Sequence, residues 1–291
     1  MTANAFANHT AQFQTVTSKD GTRISYLTTG KGPALIVVPG ALAFASNYAS
    51  LASALGGSFT VHTIERRGRA PSGPQGDDYS ITKELEDIAA IQQATSAGLL
   101  FGHSYGGLIA LESARNNRAF SKVAVYDPGV SIDGSISMKW MPAYSRYLAE
   151  NKFLDAFATF SIGTGPAQGK NMPLWLMKLI MPLFLTRREQ EQKFGLLAAN
   201  LLEHREIARC DSSYRDYREV SARVLLMFGC KRRPDWLAQG IKALAEVLPS
   251  SKVVEFPKLD HFGPDKSAPK EVAECIRNYF LEQTAWKLEV Q

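Results

Sequence analysis

Residues 102–106 of this 291-residue chain read Gly-His-Ser-Tyr-Gly, so that Ser104 has a glycine two positions before it and another two positions after it. The apolar run LLF precedes the pattern, and GLIALESA, which has helical character, follows it. A serine on a tight turn from strand to helix requires small neighbours, because Cβ atoms there would clash. Such a turn would present the Ser104 hydroxyl to a carbonyl carbon. The plainer interpretation is a glycine-rich turn, but the flanking strand and helix favour a nucleophile.

The elements that would position this serine alternate along most of the chain, which is typical of a parallel sheet with helices on both faces. Strands are predicted at 14–17, 23–27, 34–38, 61–65, 98–101, 122–126, 223–228 and 252–255. Helices are predicted at 47–55, 82–95, 107–115, 236–247 and 269–283. The Asp-Gly turn of SKDGT indicates a hairpin between the first two strands.

The helix predicted at 82–95 has a start signal and an apolar face. Ser80 is expected to cap it, and the helical spacing places Leu85, Ile88, Ala89 and Gln92 on one face. The alternation then stops between Pro128 and about Val220, where Met-, Trp- and Phe-rich helical segments contain no convincing strand. We therefore predict a core domain of residues 1–128 and 221–291, with residues 129–220 as a helical cap over one end of the sheet.

Four motifs stand in a fixed order: IVVPGAL at 36–42, ERRGRAPS at 65–72, GHSYG at 102–106 and FPKLDHFGP at 256–264. Over nearly the whole chain this series resembles the α/β-hydrolase fold family in its capped form. The motifs resemble the family's His-Gly loop, its Asp-x-Arg-Gly-x-Gly-x-Ser turn, the nucleophile elbow and the catalytic-histidine loop. The resemblance implies a mostly parallel eight-stranded sheet flanked by helices, with a helical cap after the sixth strand. It also implies a serine hydrolase of the esterase or lactonase type.

A serine hydroxyl needs a base that takes its proton as it attacks. We expect surface or packing roles for four of the five histidines: His9, His62, His103 and His204. His261 follows the last predicted strand, where the family's order of serine, acid and histidine places the base. The resemblance also assigns the oxyanion hole to the backbone N–H groups of Ala41 and Tyr105. Pro39 stands where the family commonly has a histidine, so the hydrogen-bond network around that position must differ.

The acid that would orient His261 has two candidates. Many relatives carry an aspartate about three residues after the glycine that ends the seventh strand, but FGCKRRPDW places Arg232 there. Asp235 lies a few residues late in that loop, and Asp127 directly follows the sixth predicted strand. In some capped relatives, such as certain haloalkane dehalogenases, the acid follows the sixth strand, which favours Asp127. The alternative role of Asp127 is that of a turn residue before Pro128.

The predicted cap supplies the apolar side chains that bear on substrate choice: Met138, Trp140, Met141, Tyr144, Phe153, Phe157, Met172, Trp175, Met177 and Met181. We expect most of them to pack the cap and the rest to line an apolar pocket above Ser104. If exposed, this region could instead dock on a membrane surface or form the interface of a homodimer.

Composition argues against several other classes of protein. The net charge is +5 and the pI is near 9.0, but basic and acidic residues are interspersed except in ERRGR and CKRRPD, so no nucleic-acid partner is expected. The apolar stretch at 172–185 is shorter than the roughly 20 residues of a membrane span. Cys210, Cys230 and Cys275 are scattered, which predicts reduced thiols without a disulfide or metal site. The start, MTANAFANHTAQFQ, lacks a signal pattern, so we expect a cytoplasmic protein.

These observations predict a cofactor-independent serine hydrolase that cleaves a carboxylic ester or lactone of an apolar small molecule through an acyl-enzyme. Serine at the elbow disfavours dehalogenase and epoxide hydrolase chemistry, for which this fold uses a carboxylate. Three alternatives keep the same residues: carbon–carbon bond hydrolysis of a diketone, thioester hydrolysis, and peptide cleavage at an N-terminal residue. A fourth, a weakly catalytic ligand-binding protein, is compatible with the missing aspartate.

Overall fold

The computed structural model describes residues 12–165, 172–183, 185–233 and 235–281. Its strands are β1 (Phe13–Thr17), β2 (Arg23–Thr29), β3 (Ala34–Val38), β4 (Thr60–Glu65), β5 (Leu99–His103), β6 (Lys122–Tyr126), β7 (Arg223–Gly229) and β8 (Ser251–Phe256). Its α-helices are α1 (Ala49–Leu55), α2 (Ile81–Thr95), α3 (Tyr105–Asn116), α4 (Met141–Ala149), α5 (Phe153–Thr164), α6 (Leu174–Ile180), α7 (Arg187–Gly195), α8 (Leu197–Arg209), α9 (Asp235–Val247) and α10 (Pro269–Phe280).

Within the described residues, eight strands form one sheet in the order β1-β2-β4-β3-β5-β6-β7-β8. The strand β2 is antiparallel to both β1 and β4, and the other neighbouring pairs are parallel. Parallel strands end at a common edge, so the loops after β3, β5, β6, β7 and β8 meet there. This edge is where the candidate residues of the sequence motifs come together.

The predicted strands are confirmed in all eight places among the described residues, with ends that shift by one or two residues. The hairpin is confirmed as well, because β1 and β2 pair across the Asp-Gly turn, where Gly21 has φ +83°. The predicted helices form, but the one expected at 47–55 becomes α-helical only from Ala49. The helix expected at 269–283 ends at Phe280, and positions 282 and 283 lie outside the described residues.

Side-chain alternation in the central strands builds a core on each face of the sheet. Leu35 and Val37 of β3 pack with α1 and α10, whereas Ile36 and Val38 pack with α2, α3 and α9. All four side chains are fully buried. At about 1.5–3 kcal/mol for each buried aliphatic side chain, these layers hold the strand ends in place.

The expected side-chain cap of α2 was wrong, and the predicted face covers only part of the buried side of the helix. Ser80 occupies the N-cap position, but its side chain makes no capping hydrogen bond. Leu85, Ala89 and Gln92 are only partly buried. The buried residues are Ile81, Glu84, Asp87, Ile88 and Ile91. Carboxylates are normally assigned to the solvent side of a helix, and here two of them face inward because buried arginines meet them.

Between β6 and β7, the described residues form α4 to α8 and short 3-10 turns, without a strand. This helical insertion has its own apolar cluster, which includes Trp140, Tyr144 and Phe157 and also takes in Leu42 from the loop after β3. Most of the apolar side chains expected to pack do so. Trp175 does not, since it is 67% exposed, and Phe153 is 40% exposed although its ring lies 6.4 Å from that of Phe194.

The three cysteines are free thiols, with Cys210 and Cys275 buried and Cys230 partly exposed. Among the described residues, no helix combines the length and the apolar character that crossing a bilayer requires.

Candidate active site

Ser104 lies on the turn between β5 and α3, at the carboxyl edge of the sheet. Its φ and ψ of 55° and −121° fall in a region that L-residues rarely adopt. The conformation is held on both sides, because the Ser104 N–H donates to the Tyr126 carbonyl at 3.0 Å and the Gly129 N–H donates to the Ser104 carbonyl at 2.8 Å. The predicted strained turn is therefore present and locked to the end of β6.

Glycines surround this turn because the backbone comes too close for side chains. A Cβ on Gly106 would lie 2.2 Å from the Val38 carbonyl oxygen. A Cβ on Gly40 would lie 3.1 Å from Ser104 Cβ and 3.7 Å from Ser104 Oγ. The loop after β3 is thus packed directly against the serine side chain.

Asp127 and His261 are brought together from the loops after β6 and β8. Asp127 Oδ2 lies 2.9 Å from His261 Nδ1, and Asp127 Oδ1 accepts from the Gly229 N–H at 3.0 Å. The Asp127 carboxylate is buried, and its backbone has φ 44°, a conformation that aspartate tolerates better than most residues. With the carboxylate as acceptor, Nδ1 carries the proton and Nε2 of neutral His261 keeps a lone pair.

The environment of His261 favours its charged form. Burial alone would lower the pKa of His261, but the hydrogen bond and charge of Asp127, together with the charges of Asp265 and Asp260, raise it above its ordinary value. The imidazole is 40% exposed, so it remains accessible from the solvent side. A histidine in this setting can take a proton and stabilise the resulting imidazolium.

His103, the residue before the serine, has a role that sequence reasoning missed. Its ring is buried 4.8 Å from the His261 ring, and its Nε2 lies 2.8 Å from the His261 carbonyl oxygen, which can only accept. Its Nδ1 therefore accepts from the Tyr48 hydroxyl at 2.6 Å, and that hydroxyl oxygen accepts from the Gly40 N–H at 3.0 Å. Burial, followed by the charge of His261, lowers the pKa of His103 well below its ordinary value, so it is neutral.

The two residues expected to supply an oxyanion hole flank the serine. Ala41 follows Gly40 in the loop against Ser104, and Tyr105 is the first residue of α3, so its N–H lies at a helix N-terminus. The Tyr105 side chain turns inward, where its hydroxyl pairs with the Tyr79 hydroxyl at 2.8 Å.

The basic run ERRGR is not an anionic-partner surface, because Arg66, Arg67 and Arg69 are all buried. Arg66 pairs with Glu84 and Arg67 with Asp87, both on α2. The signal for this arrangement was present in the sequence as two acids three positions apart on a helix that follows the basic run. Charge patterning alone does not distinguish such a buried pair from an exposed one.

The other histidines take no part in this cluster. His62 lies in β4 with Nδ1 2.9 Å from Thr28 Oγ1, and His204 lies in α8 with Nδ1 2.9 Å from the Asn200 carbonyl. His9 lies outside the described residues. Across the part of the chain that the structure describes, no three His, Cys, Asp or Glu residues group as metal ligands.

Comparison with known proteins places this chain in a family. A model of the alpha/beta hydrolase family matches residues 35–275. The chain belongs to the alpha/beta hydrolase family. N-formylmaleamate deformylase from Pseudomonas putida strain KT2440 is 36% identical over 124 residues, which make up 40% of this chain and 46% of that relative. The match therefore spans about half the length of this curated relative.

Solved structures of the alpha/beta hydrolase family superpose over more of the chain. An alpha/beta hydrolase from Sphaerobacter thermophilus has a TM-score of 0.77 and 27% identity, covering 92% of this chain and all of that one. A thermophilic esterase from Thermogutta terrifontis has a TM-score of 0.69 and 21% identity, covering 94% of this chain and 99% of that one, a likeness in fold alone. Family membership supports a hydrolase activity.

The two departures from the family pattern have structural counterparts. Next to Pro39, which stands where the resemblance places a histidine, the Tyr48 hydroxyl accepts from the Gly40 N–H and donates to His103 Nδ1. Arg232, at the usual acid position, is exposed with φ 54°. The backbone of Asp235 starts α9, but its side chain lies outside the described residues, so only Asp127 is seen beside His261.

Proposed function

We propose that this alpha/beta hydrolase is a cofactor-independent serine hydrolase that cleaves a carboxylic ester or lactone of an apolar small molecule. The observation that carries the proposal is the 2.9 Å contact of Asp127 Oδ2 with His261 Nδ1 beside the elbow serine. An acid, a base and a hydroxyl in this order form the arrangement that activates serine toward carbonyl carbon.

In the first half-reaction, Ser104 Oγ would attack the substrate carbonyl carbon while its proton moves to His261 Nε2. Asp127 holds the imidazole in the tautomer that leaves Nε2 free and stabilises the imidazolium. When the tetrahedral adduct collapses, the bond to the leaving oxygen breaks and His261 returns the proton to that oxygen. The products are an alcohol and an acyl-Ser104 ester.

In the second half-reaction, a water would attack the acyl carbonyl and transfer a proton to His261 Nε2. Collapse then breaks the bond to Ser104 Oγ, which takes the proton back, and the carboxylic acid leaves. In both steps the N–H groups of Ala41 and Tyr105 would receive the negative oxygen. One such donor is typically worth about 2.7–4 kcal/mol of activation free energy.

Residues 129–220, the helical insertion, would form a cap over a core domain of residues 1–128 and 221–291. This cap would determine which class of substrate reaches Ser104. Support comes from Leu42, next to the proposed oxyanion donor Ala41, which packs in the same apolar cluster as Trp140 and Tyr144. Apolar side chains of the insertion that reach the substrate would favour an apolar acyl or ring part over a charged one.

A second candidate reaction is hydrolysis of an N-formyl amide. The observation that favours it is the 36% identity over 124 residues with N-formylmaleamate deformylase. The same three side chains would serve, with the proton of His261 delivered to the amide nitrogen rather than to an ester oxygen.

The proposal is tested by reacting the protein with a fluorophosphonate probe and by screening p-nitrophenyl esters of graded chain length. Lactones, thioesters, a diketone and an N-formyl amide extend the screen. We expect Ser104 to be labelled and Ser104→Ala to lose both labelling and turnover. Ser113→Ala, which removes a buried hydroxyl from the same helix α3, is the matched control and should keep both.

A folded protein that is not labelled at Ser104 and turns over none of these compounds would overturn the hydrolase proposal in favour of a ligand-binding protein. Turnover of the N-formyl amide with no ester or lactone hydrolysis would replace the first candidate by the second.

A further inference from the structure

Two buried arginines of the loop after β4 donate hydrogen bonds to the loop after β3, which carries Gly40 and Ala41. Arg66 Nη1 donates to the Gly40 carbonyl at 3.2 Å, and Arg69 Nε donates to the Ala43 carbonyl at 2.8 Å. Both guanidinium groups are fully excluded from solvent. The loop therefore owes part of its conformation to charged donors rather than to apolar packing alone.

One carboxylate from the helical insertion joins the two arginines. Glu203 Oε1 on α8 accepts from Arg66 Nη2 and from Arg69 Nη2, each at 2.9 Å. Glu203 is separated from Arg66 by 137 residues and is itself fully buried. Arg66 is also held by Glu84 of α2, at 2.6 Å from Nη2.

The hydrogen bond from Arg66 to the Gly40 carbonyl also affects the orientation of the Ala41 N–H group. The carbonyl of residue 40 and the N–H of Ala41 belong to one planar peptide unit and point in opposite directions. A donor fixed on the carbonyl therefore fixes the direction of the Ala41 N–H, and a charged donor also polarises the peptide toward stronger donation. The guanidinium carbon of Arg66 further lies 4.8 Å from the centroid of the Tyr105 ring. Arg66 thus contacts the peptide unit that carries the Ala41 N–H and the side chain of Tyr105, whose own N–H is the second proposed donor.

The loop needs such support because it is strained. Leu42 has φ 53°, a left-handed conformation that a leucine adopts only when its surroundings impose it. The ions that hydrogen-bond to the carbonyls on either side of Leu42 stay charged. Burial opposes the charge of Arg66, but the charges of Glu203 and Glu84 keep the pKa of Arg66 well above its ordinary value. Burial likewise opposes the charge of Glu203, and Arg66 and Arg69 keep its pKa below its ordinary value.

We propose that Glu203 and Arg66 are positioning residues: through the bridge Arg66–Glu203–Arg69, the helical insertion holds the Gly40–Ala41 peptide in the orientation that binds an oxyanion. The inference rests on the proposed serine hydrolase function. It makes the insertion part of the apparatus that stabilises the transition state, in addition to covering substrate. A substrate that displaced α8 would break the Glu203 contacts and misalign the oxyanion hole. Only substrates that leave α8 in place would therefore be turned over quickly.

The first test is Glu203→Gln, which keeps the shape and one acceptor oxygen but removes the charge. Its matched control is Glu206→Gln, since Glu206 is a buried glutamate one turn along α8 that bonds Arg209 and the Ile81 N–H instead. The second test is Arg66→Lys, with Arg67→Lys as control, because Arg67 pairs with Asp87 and Asp20 and does not contact the loop after β3.

For each variant, kcat per labelled site and KM for a p-nitrophenyl ester are measured, with active sites counted by the fluorophosphonate. An alkyl trifluoromethyl ketone, which forms a tetrahedral adduct with serine, gives an inhibition constant. We expect kcat to fall about 10- to 100-fold, which is less than the 10²–10³-fold cost of deleting an oxyanion donor because the N–H is misdirected and not removed. KM should change by about twofold or less, and the inhibition constant should rise by the factor lost in kcat/KM, as expected when only transition-state binding weakens.

A merely structural role would lower the count of active sites and leave kcat per site and the inhibition constant unchanged, which would overturn the inference. Equal losses in Glu206→Gln and Arg67→Lys would also overturn it. If the unmodified protein neither reacts with the probe nor hydrolyses esters, the proposed function fails first and the inference falls with it. The two failures are distinguished by the behaviour of the unmodified protein.

Discussion

Asp127 Oδ2 and His261 Nδ1 lie 2.9 Å apart, although 134 residues separate them along the chain. Two parallel strands make this contact possible, because β6 and β8 both end at the carboxyl edge of the sheet on either side of β7. The carboxylate is tied to the end of β7 by the Gly229 N–H, so its direction is set by the sheet rather than by a mobile loop. The contact explains how the proposed site dispenses with an acid at position 232.

Replacement of the acid gives the most direct prediction. Asp127→Asn should lower kcat by about 10⁴-fold, because the amide favours the wrong tautomer of His261 and cannot stabilise the imidazolium. Asp235→Asn should change kcat by less than about twofold. Steady-state rates at equal folded fraction, checked by circular dichroism, decide between the two. Small and equal losses from both variants would show that neither aspartate orients the base.

The pH dependence of kcat/KM should have an acid limb above the ordinary histidine value of about 6.5. His261 accepts a proton only when neutral. Burial lowers its pKa, but the hydrogen bond and charge of Asp127, followed by the charges of Asp265 and Asp260, raise the pKa above the ordinary value. Activity is therefore lost as pH falls through that raised pKa.

Asp265→Asn removes one of the charges that raise the pKa of His261, so the acid limb should move to lower pH while the plateau rate is kept. The Asp265 carboxylate has a pKa of about 6, raised by burial, and is thus ionised in the range of the limb. Glu274→Gln on α10, which removes a charge paired with Arg277, is the control and should leave the profile in place. A limb that moves upward in Asp265→Asn would contradict the sign of this effect.

Tyr48→Phe tests the hydrogen bonds that join Gly40 to His103 through the Tyr48 hydroxyl. The change leaves His103 Nδ1 without its donor and the Gly40 N–H without its acceptor, so the free energy of unfolding should fall by about 1–3 kcal/mol. Turnover should fall as well, by about 10-fold, because the loop beside Ser104 shifts.

Tyr217→Phe is the matched control, because it removes a buried hydroxyl that bonds Glu112 on the opposite end of α3 from Ser104. Urea unfolding and kcat are measured for both variants. A comparable loss of stability in both, with turnover lost only in Tyr48→Phe, is expected. An unchanged kcat in Tyr48→Phe would limit this network to a stabilising role.

Gly106→Ala tests the close approach of backbone at the elbow. The added Cβ would lie 2.2 Å from the Val38 carbonyl oxygen and 2.6 Å from that of Pro39, and neither backbone atom can move freely. Unfolding free energy should fall by about 3 kcal/mol or more, as in severe overpacking. Gly57→Ala, where no atom lies within 4 Å, should stay within about 0.5 kcal/mol. Similar urea midpoints for both variants would argue against the tight turn.

Much of the fold was predictable because its signals are local. Strand alternation, the Asp-Gly hairpin and the glycine spacing around Ser104 each depend on residues within a few positions of one another, and all appear in the structure. The buried face of α2 was not predictable in this way. Glu84 and Asp87 point inward because Arg66 and Arg67 meet them, and the periodicity of a single helix carries no record of that encounter.

The sequence by itself determined the fold class, the strained turn at Ser104 and the loop that carries His261, since short-range sterics and hydrophobic patterning specify them. Only the tertiary structure decided that Asp127 reaches His261, that His103 links Gly40 to the His261 loop through Tyr48, and that Glu203 joins Arg66 to Arg69. The physical reason is distance along the chain. Contacts between residues 100 or more positions apart depend on how the strands pair and the helices pack. The partner of a buried charge can therefore be identified only when the positions of both residues are known.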